Sequence, residues 1–157
     1  MEKPNLEDLS NFHRYFAIQC NNDFWPLSEG ELSHDDKQNI ITIAHASLFH
    51  WREVGTDENI QLANMAVARA YCVNESSNSL KYAKQAFEFF DKSGEKWVQA
   101  FTNAVLSHAY HIAGDFKQSK RLYENANSLQ AELSEGDRKV FEATFSRIPV
   151  PTEENSA

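Results

Sequence analysis

The chain has 157 residues, 41% of them hydrophobic, with 11 Phe, 5 Tyr and 3 Trp, which is the composition of one packed globular domain and excludes a disordered chain. Its formal charge is -8, with 3 basic against 8 acidic residues in the first 50, so neither nucleic-acid phosphates nor an anionic membrane surface is an expected partner. No apolar stretch approaches the roughly 20 residues that span a bilayer.

The opening residues Met1-Glu2-Lys3-Pro4-Asn5 lack the apolar segment of a signal peptide, and Cys20 and Cys72 fall inside expected helices; a cytoplasmic, reduced protein is the expectation, with one disulfide as the alternative. Apolar residues recur at helical spacing throughout, and no stretch alternates with period two. The pattern predicts an all-α protein with helices at 5-20, 34-54, 57-73, 77-93, 95-113, 115-132 and 135-147.

Cap chemistry marks the starts: Ser33 with Asp36, Thr56 with Asn59, Ser76 or Ser77, Asp115 with Gln118, and Ser134 with Asp137. Gly55, Gly94, Gly114 and Gly136 stand where helices are expected to stop. Two segments read as irregular: 21-33, which holds Trp25-Pro26, and the tail 149-157, which is expected to fray.

The segment 103-126 carries the strongest pattern. Ser107 and Ser119 are small enough to let two antiparallel helices approach, with Leu106, Tyr110 and Tyr123 filling the space between them. Gly114 can take the left-handed conformation that ends a helix, and Asp115 can cap the next. A second copy lies upstream: Ala66-Val67 answers Ala104-Val105, Ala70-Tyr71 answers Ala109-Tyr110, and Ala83 with Phe87 answers Ser119 with Tyr123. The two tyrosines are 39 residues apart, and the first copy has a turn about three residues longer, around Val73-Asn74-Glu75-Ser76-Ser77.

Leu106, Ser107, Tyr110, Gly114, Asp115, Phe116, Ser119, Tyr123 and Ala126 stand at the spacing of one tetratricopeptide repeat (TPR) unit, and the chain resembles that family over about residues 60 to 132. The repeat spacing of 39 exceeds the family's usual 34. The resemblance implies a stack of antiparallel helical hairpins in a right-handed superhelix of about seven helices, one domain over 1-148. Within it, 1-55 is a diverged N-terminal hairpin, 56-132 two TPR-like hairpins and 133-148 a capping helix, before the tail 149-157. The stretches Phe12-His13-Arg14-Tyr15-Phe16 and Ala44 to Trp51 also look like a group of small bacterial proteins of unassigned role.

In repeats of this kind the first helix of each hairpin lines a concave groove. The resemblance therefore makes groove residues of Leu62, Met65, Arg69, Cys72 and Val73 in one unit and of Phe101, Ala104, His108, His111 and Ile112 in the next. A non-enzymatic module that binds a peptide or partner helix follows, with Arg69 orienting an acidic residue of the partner and no cofactor or metal. Binding through His108 and His111 would weaken above about pH 6.5. The groove could equally be filled by the chain's own first helix or by Trp25-Pro26.

Two other readings stay open. His13, His45, His50 and Glu53 could serve a small metal-dependent or small-molecule enzyme, although His45 and His50 are five apart and do not converge on one helix face. A self-associating structural protein, a homodimer through the unmatched edge of the stack, is the third. No phosphate loop, nucleophile elbow or paired-cysteine metal motif is present.

Overall fold

The computed structural model describes residues 4–152, and there the chain is all-α. Its helices are α1 Leu6–Glu29, α2 His34–Val54, α3 Asp57–Val73, α4 Ser79–Phe90, α5 Lys96–Ile112, α6 Phe116–Gln130 and α7 Glu135–Phe145. The first six pair as three antiparallel hairpins, each helix packing on its neighbours in sequence, while α3 also meets α5 and α7 closes against α5. Among the described residues no helix is long and apolar enough to cross a membrane. Residues 153-157 of the expected frayed tail lie outside the described residues.

Local chemistry explains most of the boundaries. Ser33 with Asp36 and Thr56 with Asn59 form reciprocal capping boxes that satisfy orphan amides at the starts of α2 and α3. The Asp115 carboxylate accepts from the amide of Gln118 at 3.1 Å, and Ser134 accepts from Asp137 at 3.1 Å. The start of α4 differs from the expectation: Asn78 is its N-cap and makes no side-chain cap bond, while Ser76 Oγ accepts from the Asn78 amide at 3.3 Å. Gly136 also differs, since it sits in the first turn of α7 and ends nothing.

The largest departure is at α1, which runs on to Glu29 through Pro26 where the sequence suggested an irregular segment from residue 21. Pro26 lies inside the helix, where it removes one helical amide and crowds the preceding turn at a cost of about 3 kcal/mol. Ala17, Phe24 and Ser28 continue one buried stripe across it. The Trp25 indole donates to Asn21 Oδ1 at 3.2 Å, bridging the turn that precedes the proline.

Two apolar clusters share α3, which is buried all round from Ala63 to Arg69. Phe24, Ile40, Ala44, Leu48 and Val67 pack the first hairpin onto one side of it. Met65, Ala68, Phe101, Leu122, Phe141 and Phe145 hold the other side to α5, α6 and α7. In the α5–α6 hairpin Ser107 Oγ donates to the Ser119 carbonyl at 2.8 Å, so the two small residues bring the helices together and bond across the contact. Ala68 and Ala83, their counterparts in the α3–α4 hairpin, are likewise buried.

Both hairpins turn the same way. The amide of Asp115 bonds the Tyr110 carbonyl at 3.0 Å over Gly114, whose φ is 78°. The amide of Ser76 bonds the Tyr71 carbonyl, also at 3.0 Å, over Glu75, whose φ is 53°. Each is a helix terminus closed by a left-handed residue. The three extra residues of the first turn therefore follow this closure, at Ser77-Asn78-Ser79.

Candidate functional site

α3 and α5 lie side by side and present Leu62, Met65 and Arg69 beside Phe101, Ala104 and His108. The last turns of α1 lie over this surface. Trp25 meets Phe101 edge to face, with ring centroids 5.5 Å apart, and Ser28 reaches the far end, where its carbonyl accepts from Arg69 Nη2 at 3.3 Å. α7 stands on the flank: Phe141 packs on Phe101 at 5.2 Å, and Thr144 Oγ1 donates to Glu29 Oε1 at 2.9 Å. The helix end thus occupies the middle of the surface and leaves a cavity at each end.

The N-terminal cavity is an apolar cleft of about 250 Å³ walled by Trp25, Leu62, Met65, Trp97, Phe101 and Val140. Asn21 and Glu29 supply its polar edge. The Trp97 indole donates to Glu95 Oε2 at 2.6 Å, which fixes that ring as a wall. Val140 stands at the rim, 62% exposed.

The C-terminal cavity, about 240 Å³, has a mixed lining: Ser28, Lys37, Arg69, Glu75, His108 and Arg147 together with Gly30, Leu32, Cys72 and Val73. Arg69 is only 2% exposed. Its Nη1 lies 3.2 Å from His108 Nδ1; because guanidinium can only donate, His108 must be neutral with its proton on Nε2. Burial, and then the charge of Arg69, push the His108 pKa down to about 3. Burial likewise raises the Cys72 thiol to about 12, against the opposing charge of Arg69.

These positions alter parts of the expected groove. Arg69 is buried, donates to Ser28 and His108, and lines the second cavity, not the apolar cleft, and His108 does not titrate near pH 6.5. Ala104 is fully buried. His111 packs against Phe116 at 5.4 Å, half-buried, and Ile112 is half-buried beside it. Leu62, Met65 and Phe101 do line an open cleft. Trp97 and Val140, which help complete it, were not among the expected groove residues, whereas Trp25 packs into the groove as the self-filling alternative had it; the stripe of Ala17, Phe24 and Ser28 was the signal that α1 continues and carries Trp25 inward.

The four residues of the enzyme reading do not converge. His45 Nε2 lies 3.0 Å from the Tyr71 hydroxyl, while His13 and His50 meet through their Nδ1 atoms at 2.9 Å. Among the described residues no three His, Cys, Asp or Glu side chains are grouped to hold a metal ion. Cys20 and Cys72 are free thiols. The first hairpin carries an aromatic face instead: Phe12, Tyr15, Phe16 and Phe49 are 52%, 59%, 45% and 55% exposed. No family model matches the chain, and neither a curated protein nor a solved structure matches it significantly.

Proposed function

We propose that this chain is a non-enzymatic interaction module, a TPR-like stack whose open cleft takes apolar side chains of a peptide or partner helix. The repeated left-handed turns at Glu75 and Gly114, and the Ser107–Ser119 contact, support the repeat architecture. The observation that carries the binding reading is the cleft walled by Trp25, Leu62, Met65, Trp97, Phe101 and Val140. A concave apolar surface with rigid aromatic walls and a few polar groups at its edge is the usual form of a recognition pocket.

The edge chemistry sets the sign of the partner. Glu29 borders the cleft in a chain of net charge -8, so the favoured ligand carries an aromatic or aliphatic anchor beside a Lys or Arg. Selection from a random-peptide display library should enrich that pair. Val140→Glu, at an exposed rim position, should weaken a selected peptide about tenfold or more by burying a charge against its anchor. Enrichment of acidic peptides, or undiminished affinity in the variant, would refute the reading.

A second reading, self-association, is favoured by the exposed face of Phe12, Tyr15, Phe16 and Phe49. Apolar faces of this kind are the ordinary contacts of symmetric dimers. Sedimentation velocity over a hundredfold concentration range should show a rising mass that Phe12→Ser with Phe16→Ser abolishes; a constant monomer mass removes this reading.

A further inference from the structure

We propose that the cavity at the C-terminal end of α3 and α5 binds a phosphate-type dianion, free or carried on a small molecule. This does not rest on the peptide cleft, since Arg69 and His108 line a separate cavity.

The argument begins with the charge of Arg69. Its side chain is buried, its Nε has no hydrogen-bond partner, and its other two bonds go to neutral acceptors, the Ser28 carbonyl and His108 Nδ1. Among the described residues the ion pair present is Lys96 with Glu132, so no carboxylate stands within ion-pair distance of Arg69. The Glu29 carboxylate acts on Arg69 only from beyond ion-pair distance, and Arg147 opposes it; a buried guanidinium so weakly balanced is costly, and a bound anion relieves that cost.

The surroundings fit a dianion better than a single carboxylate. Lys37 and Arg147 line the same cavity, and Glu75 is the acid among its lining residues; with Glu29 acting on Arg69 from outside the lining, three cations face two carboxylates and the site stays net positive. That positive balance occurs in a chain that is otherwise strongly acidic. The guanidinium forks and the ammonium supply the donors a phosphate group requires. The cations come from α2, α3 and the segment after α7, so a bound anion would also tie these three parts together.

The test is calorimetric titration of the full chain with inorganic phosphate at fixed ionic strength, with O-phosphoserine and glutamate as further probes. Saturable 1:1 binding of phosphate is expected. The Lys37→Gln/Arg147→Gln variant, altered at two exposed side chains, should bind at least about tenfold more weakly, and Glu75→Gln more tightly. Tighter binding of O-phosphoserine than of phosphate would also support the site and assign it to a carried phosphate group. Absence of saturable binding, equal affinity in the double variant, or glutamate binding as tightly as phosphate would overturn the proposal. Circular dichroism of each variant establishes that it is folded.

Discussion

Arg69 and His108 form a buried donor–acceptor pair, with Nη1 3.2 Å from Nδ1, and the pair secures α1 as well as the two helices that carry it. Arg69 reaches the Ser28 carbonyl through Nη2, supplying a cation to the C-terminal end of α1, where the helix dipole is negative and carbonyls lack partners. The contact holds only while His108 is neutral.

That requirement gives a pH dependence of stability. The folded-state pKa of His108 lies at about 3, below the 6.5 of an unperturbed histidine. As pH falls below 6.5 the unfolded chain takes up a proton that the folded chain refuses, so stability falls with pH and levels off near the folded pKa. Between pH 7 and pH 5 His108 should contribute a loss of about 2 kcal/mol. His45 and His50 are also shifted down, chiefly by burial, so the wild type loses stability from several sites. Urea denaturation at the two pH values, wild type against His108→Gln, isolates the share of His108. An unchanged pH dependence in the variant would contradict the assignment.

The paired turns make a second prediction. Glu75 and Gly114 hold equivalent left-handed positions, at φ 53° and 78°, but only glycine does so without strain. Glu75→Gly should stabilise the protein by about 1 kcal/mol, and Gly114→Ala should destabilise it by a similar amount. A Cβ at Gly114 would meet nothing within 4 Å, so its effect reports backbone conformation and not a clash. Thermal unfolding of the two variants should move Tm in opposite directions.

Much of this architecture is legible in the residues. Ser33, Thr56, Asp115 and Ser134 announce helix starts because a cap is local chemistry, and the Ser107–Ser119 contact follows from side-chain size. The course of the chain at Pro26 is not local. A proline reads as a stop, yet burial of Phe24 and Ser28 and the bond from Arg69, which is 41 residues on in sequence, outweigh the lost amide. The same long-range event divides the groove, so Leu62, Met65 and Phe101 could be placed on a concave face and Trp25-Pro26 named as one candidate to fill it, while the fate of Arg69 could not be read. Trp97 was hidden for another reason: it lies in the first turn of α5, about two turns before Ala104, where the repeat pattern starts.

The tryptophans offer the most direct test of the cleft. Trp25 and Trp97 line it, and Trp51 does not. A display-selected peptide whose anchor is replaced by bromophenylalanine, a contact quencher, should quench the fluorescence of the wild type and of Trp51→Phe. In the Trp25→Phe/Trp97→Phe variant, with the peptide still bound by calorimetry, quenching should vanish. Quenching that persists in that variant and is lost in Trp51→Phe would place the partner elsewhere and contradict the account.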